Sequence, residues 1–106
     1  MRVLFDQGTS VPLRQGLDGH HVSTAYELGW ATLKNGDLLR SAEEQGFEVL
    51  VTTDTNLRYQ QNLAARRIAV VVLSTTSRPR IRVMAELVVS AVNAATIGSY
   101  VEVPIP

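Results

Sequence analysis

The sequence predicts a three-layer α/β/α sandwich around a central, mostly parallel sheet. Three observations lead there. Short apolar runs that stop at turn residues recur along the chain, and segments of helical period separate them. One of the runs, IAVVVL at residues 68–73, is β-branched with no polar alternation. An unbroken run of that kind marks a strand covered on both faces, and strands alternating with helices build a parallel sheet. The length of 106 residues suits one domain spanning 1–106.

Each element has its own signal. Residues 2–5 (RVLF) form an apolar run ending at Asp6, with turn residues Gln7, Gly8, Thr9 and Ser10 behind it. Ser10 suits an N-cap and Pro12 a first helical turn, which predicts a helix to about Leu17. Residues 20–23 read as a second short strand, and 24–28 as a helical turn stopped by Gly29. A clearer helix opens at Asn35 or Gly36, with Leu38, Leu39 and Ala42 on one face, Arg40, Glu43 and Glu44 on the other, and Gly46 as its stop. Residues 47–51 (FEVLV) make the next strand, closed by Thr52, Thr53 and Asp54. A helix fits 57–67, the IAVVVL strand follows, and Ile81, Met84, Val88, Ala91, Val92 and Ala95 recur at helical spacing over 79–96. Residues 100–103 form a last edge strand ended by Pro104 and Pro106.

Composition narrows the chemistry. At 45% hydrophobic and 19% charged the chain can build a core. It has no cysteine, which excludes disulfides and thiolate metal sites and suits a reducing, cytoplasmic setting. The opening MRVLFDQG reaches Asp6 after too short an apolar run for a secretory leader, and Glu86, Ser90 and Asn93 interrupt the stretch 84–97, so no membrane span is expected. Net charge is zero, but its distribution is uneven. Residues 1–54 carry eight acids against four bases, and residues 55–106 carry Glu86 and Glu102 against six arginines. Such asymmetry fits a metal-binding side beside a phosphate-binding side, and equally the solvated faces of two amphipathic helices.

The acids fall at informative places. In an open parallel sheet, ligands bind beyond the carboxyl ends of the strands. Asp6 directly follows the first strand, and Asp54 follows FEVLV in the run VTTD. If those strands are neighbours, or one apart, both carboxylates meet in one crevice. Asp37 opens a helix entering from the same end, and Glu27 lies on the preceding turn. Crowded carboxylates repel unless a cation neutralises them, and Mg²⁺ or Mn²⁺ prefers such oxygen ligands. A metal so held can activate water for phosphodiester hydrolysis. Each acid also has a structural reading: Asp6 and Asp54 as turn or cap residues, Asp37 as a favourable charge in a first helical turn.

The start RVLFDQGTSVPL, the segment HHVSTAYELGW, the stretch NGDLLRSAEEQGFEVLVTTDTNL and the strand IAVVVL resemble short stand-alone bacterial PIN-like domains, over about residues 1–75. The most specific piece runs from Asp37 through GFEVLVTTD. The resemblance implies a metal-dependent ribonuclease, in many members the toxin of a toxin–antitoxin pair. It implies metal-ligand roles for Asp6, Asp37 and Asp54, with Glu27 as a fourth catalytic acid. The chain departs from the pattern at Gln7 and Gly8, where an acid and an asparagine are common, and at Asn56, where a second aspartate is common. Those departures lower the pocket's charge and keep open a catalytically weak PIN-like module that binds RNA or protein.

Around the acids, Thr52, Thr53, Lys34 and Arg58 are candidate contacts to a phosphate or a metal-bound water; strand-end threonines and solvated cations are the plainer readings. His20 and His21 are adjacent on a strand and point to opposite faces, so they do not share a metal. Trp30 reads as a packing residue. Arg66, Arg67, Arg78, Arg80 and Arg82 flank IAVVVL, and together would track a phosphate backbone. Apolar residues on most sides of the last helix (Val83, Ala85, Leu87, Val89) predict deep burial or a homodimer. A phosphoaspartate receiver would need a later lysine, and Lys34 is the chain's one lysine. The expected partners are therefore RNA, an antitoxin protein and a second copy of the chain.

Overall fold

A computed structural model describes residues 1–6, 19–33, 35–54, 57, 66–74, 77–83 and 85–104. The side chains of Asn35 and Arg78 are excepted. The helix expected over 12–17 lies outside these residues, as does most of the one expected over 57–67.

Five strands form one sheet: β1 (Arg2–Phe5), β2 (His21–Thr24), β3 (Val49–Thr52), β4 (Ala69–Leu73) and β5 (Tyr100–Val103). Their order is β2-β1-β3-β4-β5 and every neighbouring pair is parallel. Parallel neighbours cannot be joined by a tight hairpin, so each connection must cross over the sheet. The described helices are α1 (Asn35–Glu44), α2 (Arg78–Val83) and α3 (Ala85–Ala94).

Strand alternation sends side chains to two faces, and each face has its own core. On one, Val3, Phe5, Val49, Val51, Ala69, Val71 and Leu73 pack with Ile81 of α2 and Val88 and Val92 of α3. On the other, Leu4, Leu50, Val70 and Val72 pack with Leu38, Leu39 and Ala42 of α1, together with Phe47 and Leu57. β3 and β4 are buried at every position. The expected three-layer sandwich is therefore the architecture, with a sheet that is wholly parallel.

The FEVLV strand begins two residues later than its apolar run. The Gly46 N–H donates to the Glu43 carbonyl (3.1 Å) and the Phe47 N–H to the Ala42 carbonyl (2.9 Å). That pattern closes α1 with glycine in the left-handed region, φ 79° at Gly46. Phe47 is thus committed to the helix end, its ring in the α1-side core and under the Arg2 guanidinium, 4.4 Å from the ring centroid. Arg2 also donates to the Gln45 carbonyl, which ties this corner to β1.

The single helix expected over 79–96 is described as two segments, α2 and α3, flanking residue 84. Its outward apolar residues are not deeply buried: Val83 is 79% exposed and Leu87 42%. Among the described residues, no helix is long and apolar enough to cross a membrane.

Candidate functional site

The chain leaves β1 for β2 on one side and later places β3 on β1's other side, so the sheet reverses direction at β1. In doubly wound sheets the ligand crevice opens at such a reversal, at the carboxyl ends of the strands. Asp6 and Asp54 stand there. β1 and β3 are hydrogen-bonded neighbours, with Phe5 in register with Val51 and the Asp6 N–H donating to the Val51 carbonyl (2.9 Å). The condition set by the sequence, that the two strands be adjacent, is met.

A buried hydroxyl links the two acidic segments. The Thr52 hydroxyl donates to Asp6 Oδ2 (2.7 Å) and accepts from the Asp54 backbone N–H (3.1 Å). Thr52 is 1% exposed, a polar side chain set among apolar ones. Left unpaired it would cost roughly 1–3 kcal/mol, and both of its roles are filled here. Strand parity explains the choice of threonine. Leu50 belongs to the α1-side core, so Thr52 shares that face with Leu4, and Asp6 continues the same parity two residues beyond Leu4. Asp6, Thr53 and Asp54 are half-buried, partly open to the crevice.

Asp37 lies in the first turn of α1, the helix on that same face, and α1 runs back from the carboxyl edge toward the start of β3. Layer and end thus match those of Asp6. The Asp37 side chain is 60% exposed, and its Oδ1 is 3.6 Å from the Arg40 guanidinium. An ion pair this open contributes little to stability. Among the described residues, no three acids or histidines stand together closely enough to hold a metal ion.

Glu27 has a local task. The Thr24 N–H donates to Glu27 Oε1 (3.0 Å) and the Glu27 N–H donates to Thr24 Oγ1 (3.1 Å). This reciprocal pair is a capping box, which satisfies the free donors of a helical turn. Its signal, T-x-x-E at residues 24–27, is legible in the sequence, but Glu27 was weighed there as a site acid. The turn is further tied by Ala25 N–H to the Phe5 carbonyl (2.9 Å) and Trp30 N–H to the Ala25 carbonyl (2.8 Å). It sits against the end of β1, next to Asp6, and carries Tyr26 outward at 80% exposure. Nothing in the sequence singled out Tyr26, because exposure depends on where the turn docks.

Of the remaining candidates, Lys34 and Arg58 lie outside the described residues, as do Gln7, Gly8 and Asn56. Arg66 is 3.1 Å from Glu43 in a half-buried ion pair, and Arg67 donates its backbone N–H to the same carboxylate (3.4 Å). Arg66 is thus held by α1, while Arg80 and Arg82 are exposed on α2, on the opposite face from Thr52. Among the described residues, Arg66 thus lies on the α1 side of the sheet, and Arg80 and Arg82 on the other. His20 Nε2 is 2.7 Å from Asn93 Oδ1, and Trp30 packs edge-on to Phe47 with centroids 6.2 Å apart. The packing role expected of Trp30 is what it has.

No protein-family model, curated protein or solved structure matches the chain.

Proposed function

We propose that the chain is a divalent-metal-dependent ribonuclease of the PIN-like kind, acting at the crevice between β1 and β3. One observation carries the reading: two strand-terminal aspartates from neighbouring strands are joined by a buried hydroxyl at the sheet's reversal point. Two half-buried carboxylates at neighbouring strand ends offer oxygen donors alone, which suits Mg²⁺ or Mn²⁺ rather than a softer metal. Asp6 and Asp54 would hold the ion; Asp37, at the start of α1, does not stand close enough to complete a three-acid group with them. Bound there, the ion would supply Lewis acidity and a reactive water for phosphodiester hydrolysis.

The chain's own residues do the positioning. Thr52 holds Asp6 Oδ2 in one orientation. Its oxygen also anchors the backbone at Asp54. Thr53, half-buried beside it, is a candidate contact to a phosphate. Val83 and Leu87, exposed on α2 and α3, support association with a second copy of the chain. A toxin role, restrained by an antitoxin protein, is the biological form of the proposal; growth arrest on expression, relieved by Asp6→Asn, is its expected sign.

The deciding experiment is Mn²⁺ titration calorimetry on the wild type and Asp54→Asn, with RNA cleavage followed with and without EDTA. Binding lost in the variant and cleavage abolished by EDTA are the expected results. One observation favours a second reading, a PIN-like module that binds RNA or protein without cutting: Asp37 is largely exposed and paired with Arg40 on its own helix. RNA binding that survives Asp54→Asn, with no cleavage by the parent, would establish it.

A further inference from the structure

Strand order and core membership together fix the relative hands of the sheet's connections. From β2 to β3 the chain travels across the sheet in the same direction as from β4 to β5. α1 makes the first crossing on one face, where Leu38, Leu39 and Ala42 join Leu4 and Leu50. α2 and α3 make the second on the opposite face, where Ile81, Val88 and Val92 join Val3 and Val49. Two crossovers that travel the same way over opposite faces of a parallel sheet have opposite hands, so one of them is left-handed. The link from β3 to β4 sides with α1. It travels the same way, Leu57 packs in the α1-side core, and Arg66 reaches Glu43 of α1. One left-handed connection is then α2–α3; the alternative would need two. About 98% of such crossovers are right-handed, because a right-twisted strand feeding a right-handed helix packs back onto its sheet only that way.

A disfavoured hand belongs to a chain that crosses its own sheet. It vanishes when the crossing unit comes from a second copy, since the unit keeps its contacts and only the link changes its destination. This unit can move whole. β5 is an edge strand with β4 as its described strand neighbour, and only residues 74–77 separate β4 from α2. Short links under strain invite exchange of this kind. An exchanged pair also needs new contact between copies to offset the cost of association. Of the six large apolar side chains exposed among the described residues, four lie on this unit: Val83 at 79%, Ile97 at 64%, Leu87 and Val101. Val83 ends α2, within about two turns of the link, where two copies sharing the unit approach each other. We propose that α2, α3 and β5 are exchanged between two copies of the chain, so that the partner's β5 completes each sheet. The exchange does not depend on the ribonuclease reading, and it leaves Asp6, Thr52 and Asp54 within one chain.

One contact reports which chain supplies the unit. His20 Nε2, ahead of β2, is 2.7 Å from Asn93 Oδ1 on α3. The chain has no cysteine, so His20→Cys combined with Asn93→Cys offers one reactive pair to bismaleimidoethane. Light scattering on the full chain should give twice the 11.6 kDa of one copy. The cross-linked protein should run as a covalent dimer on a denaturing gel, in a yield that does not fall on dilution. A second pair, Val71→Cys with Val101→Cys on register partners of β4 and β5, gives the same reading by oxidation to a disulfide. Four glycine and serine residues inserted between residues 75 and 76 relax the link and should return the protein to a single copy with its cross-link inside one chain. A wild type of one-copy mass would overturn the proposal. So would a two-copy mass whose cross-links lie within each chain, which would make the exposed valines and leucine a side-by-side contact. A dimer that keeps its interchain cross-link after the insertion would remove the crossover as the cause.

Discussion

Thr52 is a single hydroxyl with two engaged roles, and its replacement separates shape from hydrogen bonding. Thr52→Val keeps the volume but leaves Asp6 Oδ2 and the Asp54 N–H without that partner. A loss of about 1–3 kcal/mol in urea unfolding is expected, with Thr52→Ser recovering most of it. The run VTTD revealed that a hydroxyl would lie near the acids, but not which one: Thr52 and Thr53 have opposite parity, and with both faces of β3 buried the sequence does not say which face Asp6 shares. Glu27 teaches a related lesson. It was legible as an acid near the site, and its hydrogen bonds to Thr24 give it a task in the turn as well. Since glutamine also serves in a capping box, Glu27→Gln should leave stability unchanged and any RNA cleavage within about twofold. A hundredfold loss of cleavage would instead make Glu27 a ligand or an acid of the reaction.

At the scale of elements, the strands were the most legible part. β4 reads directly from IAVVVL because burial on both faces demands an unbroken β-branched run, and Ala69–Leu73 is buried throughout. α1 was legible at both ends, from its apolar stripe and from Gly46. That glycine is a point of real constraint. A Cβ there would lie 3.2 Å from Arg2 Nη1, on a backbone at φ 79° that side chains rarely adopt. Gly46→Ala should therefore destabilise by about 1–2 kcal/mol, combining backbone strain with displacement of the guanidinium from the Gln45 carbonyl. Thermal melts of the two proteins would measure it. The last helical stretch was less legible in its packing, because the outward faces of Val83 and Leu87 depend on neighbours far away in the chain.

For the molecule as a whole, the sheet separates two cores that share no side chain among the described residues, and this has a measurable signature. Leu39→Ala empties part of the α1-side core, and Val88→Ala part of the α3-side core. The leucine truncation should cost about 2–5 kcal/mol and the valine truncation less. Because the two sites lie on opposite faces, the double variant should lose their sum within about 0.5 kcal/mol, by urea unfolding. Strong coupling would mean that the sheet transmits strain between its layers. The meeting of Asp6 and Asp54 was legible only conditionally, since the sequence gives each strand but not the strand order; adjacency of β1 and β3 is a property of the entire topology.

That topology also sets a clock. Asp6 and the hydroxyl that orients it are 46 positions apart, and the sheet has no pair of strands that can zip together locally. A folding chain therefore cannot fix Asp6 until β3 has docked against β1 and brought Thr52 to it. Contacts of such long range fold slowly, over about milliseconds to seconds in small domains of high contact order. For the ribonuclease proposed above, the late arrival of Thr52 would keep the acidic edge unassembled until most of the sheet has formed.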